Sequence, residues 1–445
     1  MHSSLILQSA LGILVMPFIA WCCSERREAI KISLLFYAIA LQFGFAVLLT
    51  QIPWSQGIFA AINSCVLTLD TATKAGTGFV FGYLGGTGLP FEVNGNTSTF
   101  VLAFQALPLI IVLSALTALL TYTGILPLII SSLARFISRL LPLSAPTAFA
   151  SAANIFVGMV ESPLFVKPYL GAVSRSELFV IMTVGMATIA GTVMVIYVGF
   201  LQNVLDGAAG HLLTASIISI PAAIGIALTM VPTADDPIAD VPGRQNAEKD
   251  NHLGGDGKIG SDTSNSVNVN FRDQYSSAMD ALVSGTQQGL HLCLQIAALL
   301  IVFIALVSLF NLVFGAVLPN FAGKPASLEG LLGMLFAPLA WLIGIPWSET
   351  QIAGQLLGVK TVLNEFIALR TLGILPASEL SPRSVLIMSY ALSGFANIGS
   401  LGILIGGLTT MVPERRIEII SLAPRAVVSG TLATLITAAV IGVLN

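Results

Sequence analysis

The sequence predicts an all-α polytopic membrane protein with eight transmembrane helices, two re-entrant helical hairpins in inverted repeats, and interfacial helices. Three observations carry this. Of 445 residues, 55% are hydrophobic and 9% charged, with a mean hydropathy of +0.90, whereas a soluble domain is about a quarter charged. The apolar residues fall into runs of about 20, the length that crosses a bilayer as a helix. Two further apolar stretches carry ionisable residues and helix breakers. A charge at the centre of a spanning helix costs about 2.5–3.5 kcal/mol, and freed backbone groups there need protein or water. A hairpin lining a polar site meets both demands.

Taken in order, Leu5–Cys23 and Ile32–Thr50 are the first two spans. Leu5–Cys23 lacks a basic leader and an A-x-A cleavage pattern, so it reads as a retained helix. Arg26, Arg27 and Lys31 mark the loop after it as cytoplasmic. From Ile52 to Phe100 the pattern weakens. The Gly-rich passage Gly76–Gly88 has no preceding strand and no Lys-Ser/Thr ending, so it is not a phosphate-binding loop; tight packing or an interfacial segment is expected. Residues 1–100 thus form an N-terminal scaffold.

A first transport repeat occupies 101–232. Val101–Tyr122 is its opening span, and Leu126–Leu141 is an amphipathic helix with Arg135 and Arg139 on its polar face, suited to the inner surface. Ala153–Tyr169 is the first hairpin, with Asn154, Glu161 and Lys167 among apolar residues and breaks at Gly158, Pro163 and Pro168. Spans at Leu178–Phe200 and Leu212–Val231 follow. Between Thr233 and Arg272, Asp, Asn, Gly and Ser dominate, which predicts a flexible cytoplasmic linker over 233–275.

The second repeat occupies 276–445. An interfacial segment at Ser276–Gly289 leads into a span at Leu290–Leu318. A broken region, Gly333–Leu375, holds Glu349, Lys360, Asn364 and Glu365 and forms the second hairpin. Spans at Ser384–Leu408 and Ala426–Leu444 close the chain. With the N-terminus outside, fourteen of the nineteen basic residues fall on the inner side and four on the outer, with Lys360 inside the second hairpin. That asymmetry favours this orientation, with both termini outside. Ile181–Gly191 can be laid over Ile387–Gly399, and Glu161 and Glu365 precede those segments by 20 and 22 residues. Inverted repeats with broken helices meeting near the midplane point to a secondary transporter.

Other functions find little footing. The net charge of −3 comes with no basic patch for nucleic acid. The four cysteines and four histidines show no metal-ligand spacing, and no nucleophile elbow accompanies the carboxylates. An enzyme is not expected. Some polar residues have structural readings: Glu161 and Glu365 could cap hairpin helices or pair with Lys167 or Lys360, and Glu349 suits a helix start. Asn154 and Thr188 could satisfy buried backbone. Asn397 and Ser400, three apart, could share a packed helical face.

Gly158-Met-Val-Glu-Ser-Pro163, Gly354-Gln-Leu-Leu-Gly-Val-Lys-Thr-Val-Leu-Asn-Glu-Phe-Ile-Ala368 and Ser393-Gly-Phe-Ala-Asn-Ile-Gly-Ser400 resemble the signature motifs of the concentrative nucleoside transporters. Phe79-Val-Phe-Gly82 and Pro413-Glu-Arg-Arg416 extend the resemblance over nearly the whole chain. It implies a homotrimer in the cell membrane, the bacterial inner membrane, importing nucleosides down a sodium gradient or, in some bacterial members, a proton gradient. It implies no cofactor beyond the coupling ion. Ribose would be held by Glu365, Asn397 and Ser400, and the base by Met159, Val160, Glu161, Val193 and Phe395. Sodium would use Asn154, Thr188 and the carbonyls of Val157 and Ile189. The residue chemistry agrees: an ionised Glu365 accepts two ribose hydroxyls, Asn397 offers donor and acceptor, and Phe395 offers a flat apolar wall. Met159 and Val160 stand where the family usually has Gln and Thr or Ser. Losing those hydrogen-bonding groups predicts a base preference that is not strictly pyrimidine.

Overall fold

Apolar runs separated by short polar loops fold as helix almost throughout. The computed structural model describes residues 2–91, 99–233, 275–317 and 326–445. The predicted linker over 233–275 lies almost wholly outside the described residues. Three helices open the chain: α1 (His2–Cys22), α2 (Ile32–Thr50) and α3 (Pro53–Phe81). The weak pattern after Ile52 thus becomes a single 29-residue helix ending in a 3-10 turn at Gly82–Gly85. Close packing accounts for Gly85, where a Cβ would stand 2.2 Å from the Thr77 carbonyl oxygen, and positive φ for Gly82 and Gly86 (59° and 94°).

The stretch expected to be the first repeat contains α4 (Leu102–Gln105), α5 (Pro108–Tyr122), α6 (Ile125–Leu140), α7 (Ala145–Ala153), α8 (Glu161–Leu164), α9 (Lys167–Leu170), α10 (Arg175–Ala187), α11 (Gly191–Leu201) and α12 (Ala208–Met230). The second contains α13 (Ala278–Val317), α14 (Leu328–Leu342), α15 (Thr350–Val362), α16 (Glu365–Ile374), α17 (Pro382–Leu392), α18 (Ile398–Met411) and α19 (Arg416–Leu444). Seven helical segments among the described residues are long and apolar enough to cross a membrane. The eighth predicted span, Ser384–Leu408, is divided between α17 and α18, neither of which is that long alone.

Three predicted boundaries are corrected. The first hairpin begins earlier than Ala153, because α7 is its first limb and Asn154–Val160 is its turn. Pro163 and Pro168 mark the breaks as expected: each sits in the first turn of a short helix that restarts after an interruption, where the missing N–H costs no hydrogen bond. Gly333–Leu375 is not one hairpin: α14 is a separate helix, and the hairpin is α15 and α16 around Leu363 and Asn364. Ser276–Gly289 is not a separate interfacial piece but the first turns of the 40-residue α13. Gly285 and Gly289 let α13 close on α5, since a Cβ on either would stand 2.7 Å from an α5 atom.

Two hydrogen-bonded clasps fix where the hairpins enter. Ser174 and Glu177 form a capping box at the start of α10, and the Glu177 carboxylate also accepts from the Ser144 N–H at the base of α7 (3.1 Å). In the second repeat Glu349, just before α15, accepts from the N–H and hydroxyl of Ser381 at the start of α17 (3.3 and 3.1 Å). The predicted capping role of Glu349 therefore serves a different helix from the one it begins. The first clasp lies beside the Glu25 carboxylate, which accepts from Arg175 (2.8 Å) and Arg425. Arg415 joins the same end through the Leu170 and Val173 carbonyls. The second clasp lies beside Arg383, which donates to the Gly344 and Gly442 carbonyls near the end of α19. Ser9 of α1 reaches Ile343 there as well (3.2 Å). The hairpins therefore enter from opposite ends, and both chain termini gather at the end of the second.

Helices α14 and α15 pack backbone to backbone at Gly333 and Gly354. A Cβ on Gly354 would stand 2.4 Å from the Gly333 carbonyl oxygen and 2.8 Å from the Ala337 nitrogen, both backbone atoms. Gly354→Ala is expected to destabilise the protein by about 1–3 kcal/mol through overpacking. A lowered thermal midpoint in detergent would report it; an unchanged midpoint would mean that the two helices part there without strain.

Candidate functional site

Four interruptions of helix converge on one region. Hairpin one is interrupted over 154–160. Pro163 explains the restart at Glu161, since a helix running through the turn would press its ring against the Met159 carbonyl. The span after it stops at Ala187, Thr188 is extended (φ −121°, ψ 166°), and helix resumes at Gly191. That glycine is required by its neighbour: a Cβ would stand 3.0 Å from the Phe156 carbonyl oxygen, so the two interruptions touch. In the second repeat the hairpin turns at Leu363–Asn364, and the following span is unwound over 393–397. Gly394 lets the two unwound spans meet, since its Cβ would stand 3.1 Å from the carbonyls of Met186 and Ala187.

Beside this crossing lies a cavity of about 430 Å³, within the usual range of about 300–1,000 Å³ for small-molecule sites. All three residues expected at ribose and all five expected at the base line it, as does Val157 of the expected ion site. Glu365 is buried at the start of α16. Tyr197 donates its hydroxyl to one carboxylate oxygen (2.7 Å), and Asn397 donates its amide to the other (2.8 Å). Such charge-assisted bonds orient the carboxylate.

Asn397 departs from expectation. It caps α18, its Oδ1 accepting from the Ser400 N–H at 2.7 Å. The amide's acceptor is thus engaged by the chain itself, and Asn397 and Ser400 are joined as helix cap and first turn rather than as neighbours on a helical face. Asn364 caps α16 in the same way, accepting from the Ile367 N–H (2.9 Å). Glu161 is accessible from the cavity, yet its carboxylate folds back on the N–H groups of Gly158, Val160 and itself, the capping alternative. Neither glutamate pairs with a lysine as the sequence allowed: Lys167 is exposed, and the buried Lys360 bonds elsewhere.

The residues expected at the ion divide into two groups. Asn154 and Thr188 meet directly, the Asn154 amide donating to the Thr188 hydroxyl (2.6 Å) and the Val184 carbonyl (3.0 Å). The Asn154 Oδ1 is buried and has no hydrogen-bond partner. Val157 and Ile189 flank this pair in the two touching interruptions. A side-chain amide oxygen, a hydroxyl and unwound carbonyls are the hard oxygen donors that an alkali cation prefers.

Sequence reasoning missed the opposite wall. Ser114 and Thr117 of α5 and Gln288 and Gln295 of α13 face the same cavity. Gln288 and Gln295 are seven apart on one helical face, a pattern legible once α13 is seen as one helix. Tyr197 was also missed, although it lies one helical turn beyond Val193.

The chain is similar to known proteins over nearly its whole length. The family described as Na+ dependent nucleoside transporter C-terminus matches residues 211–442, its N-terminal counterpart matches 11–84, and a family described as Nucleoside recognition matches 103–204. The nucleoside permease NupC of Helicobacter pylori is 33% identical over 438 residues, covering 98% of this chain and 96% of the permease. An uncharacterized transporter of Haemophilus influenzae is 34% identical, covering 98% and 97%. The solved structure of CNTnw in an inward-facing substrate-bound state superposes with a TM-score of 0.84 at 33% identity, over 99% of this chain and 97% of that one. The chain belongs to the Na+ dependent nucleoside transporter family.

Proposed function

We propose that this nucleoside transporter is a symporter that imports nucleosides down a sodium gradient, with ribose fixed at Glu365 and the base facing Met159 and Val160. The observation that carries the reading is the buried Glu365 carboxylate, oriented by Tyr197 and Asn397 at the wall of the cavity. A carboxylate offers about four acceptor positions, so two remain for the neighbouring hydroxyls of a ribose. Asn397 keeps one N–H free, and the Ser400 hydroxyl is within the same wall. Val193 and Phe395 supply apolar surface for a base.

Sodium is assigned to Asn154, Thr188 and the carbonyls of Val157 and Ile189, supported by the unpartnered Asn154 Oδ1. The ion and the nucleoside would then share the tip of hairpin one. Ordering residues 154–160 around the ion places Met159–Glu161 at the cavity, so each ligand favours the conformation that the other needs. CNTnw has been solved in an inward-facing state, and substituted variants of it in outward-facing and intermediate states; the same alternation is proposed here. The reading includes the bacterial inner membrane, with both termini outside. It also includes a homotrimer, for which the 40-residue α13 leaves an apolar face uncovered: only 6% of its most apolar stretch is buried.

Uptake of labelled uridine, adenosine and inosine into proteoliposomes, under imposed sodium or proton gradients, tests this reading. Sodium-driven uptake of all three is expected, since Met159 and Val160 lack the side-chain groups that would select one base pattern. Strict selectivity for uridine would sink the base assignment. Uptake driven by protons alone would sink the sodium assignment.

A further inference from the structure

Lys360 is a fully buried lysine at membrane depth that the transport reading does not use. A charge there is retained only with compensating partners. Its ammonium donates to the Ala391 carbonyl (2.8 Å) and the Thr434 hydroxyl (2.9 Å), and neither partner is a carboxylate.

The position becomes meaningful when the repeats are compared. In the first repeat α7 ends at Ala153, and the next residue, Asn154, reaches the Val184 carbonyl in the last turn of α10 and the Thr188 hydroxyl beyond it. In the second repeat Lys360 lies in the last turn of α15, the counterpart of α7. It reaches Ala391 in the last turn of α17, the counterpart of α10, and its second acceptor is the Thr434 hydroxyl of α19, a helix that takes no part in the Asn154 contact. Both acceptor ends are C-terminal ends of interrupted helices, where carbonyls carry partial negative charge and favour a cation. The difference is what each hairpin brings. Asn154 brings a neutral amide whose oxygen is left open; Lys360 brings a positive charge.

We propose that Lys360 is a tethered cation: its ammonium takes at the end of α17 the place that the Asn154 NH2 takes at the end of α10, and it supplies from the chain itself the positive charge that the transported cation brings to the first repeat. This rests on the sodium assignment at Asn154. The arrangement restricts exchangeable cation binding at these two helix ends to the first repeat. It also keeps a basic side chain in the hairpin that carries Glu365, five residues away across the turn. An ordinary structural lysine would pin α15 to α17 and α19 and nothing more, so the test must count ions and not only measure stability.

The decisive measurement is equilibrium binding of radioactive sodium to the purified full chain, native and Lys360→Gln, with Lys360→Arg as the charge-preserving control. Glutamine removes the charge and supplies an amide oxygen, as Asn154 does. Lys360→Gln is expected to bind one more sodium ion per protomer than the native chain, and Lys360→Arg the native number. An unchanged sodium count in a folded Lys360→Gln protein would overturn the proposal. If that variant is unstable in low sodium, its thermal midpoint should recover in high sodium and not in choline; failure to recover would equally overturn it. A native chain that binds no sodium would defeat the sodium assignment itself, and the proposal with it.

Discussion

Glu365→Gln is expected to weaken nucleoside binding and uptake by about 100-fold or more. Hydrogen bonds to a charged group contribute about 1.5–3 kcal/mol each, and each 1.4 kcal/mol is a factor of ten. Two ribose hydroxyls losing a charged acceptor therefore account for that fall. The glutamine is also mismatched to its own surroundings. One carboxylate oxygen accepts from Tyr197 and the other from Asn397; a glutamine amide must turn its NH2 to one of them. Tyr197 can accept a hydrogen bond through its hydroxyl, whereas the Asn397 NH2 cannot. The glutamine can therefore keep both contacts only by turning its NH2 to Tyr197, whose hydroxyl must then accept and send its own hydrogen elsewhere. Uptake of ribonucleosides and their 2′- and 3′-deoxy analogues separates the sugar role from general damage. The native chain should prefer the ribonucleosides, and the variant should treat all three sugars alike. A variant that keeps native uptake and native sugar preference would remove Glu365 from the ribose site.

Much of this site was legible because membrane depth makes polar residues conspicuous. Asn154, Glu161, Lys360 and Glu365 stand out against apolar runs that leave no innocent reason for a charge. All the expected sugar and base residues do line one cavity. What escaped was of a different kind. Tyr197 is one more aromatic in an apolar helix, and only tertiary contact with Glu365 separates it from core. Gln288 was hidden because Ser276–Gly289 has the composition of a surface segment, and Gln295 because it falls in the span expected after it; Gly285 and Gly289 are there to let α13 close on α5. Asn397 lines the cavity but has less freedom than expected, since a residue at a helix start uses its acceptor for the cap. The bounds of hairpin two were misjudged because α14 is as apolar as a hairpin limb, and composition alone does not tell a limb from the helix packed beside it.

Asn154→Ala is expected to raise the sodium concentration needed for half-maximal nucleoside uptake by about 10-fold or more. The native side chain does two things at once. Its N–H groups hold Val184 and Thr188 in place, while its Oδ1 points into buried space with no hydrogen-bond partner. An unsatisfied buried acceptor costs about 1–3 kcal/mol, a cost that a bound cation removes. Alanine deletes that oxygen and releases the Thr188 hydroxyl, so two of the four assigned ligands are lost or loosened. Because the ion and the nucleoside share the tip of hairpin one, the coupling free energy must be reciprocal in binding. At a fixed low sodium concentration the variant should therefore bind nucleoside more weakly than the native chain, and at saturating sodium the two should converge. Equilibrium nucleoside binding across a sodium series, with N-methylglucamine replacing sodium, checks this directly. A purely structural Asn154 would lower affinity by the same factor at every sodium concentration. A half-saturation unchanged from the native value would move the ion away from the interruption between α10 and α11, and with it the reason why hairpin one is broken where it is.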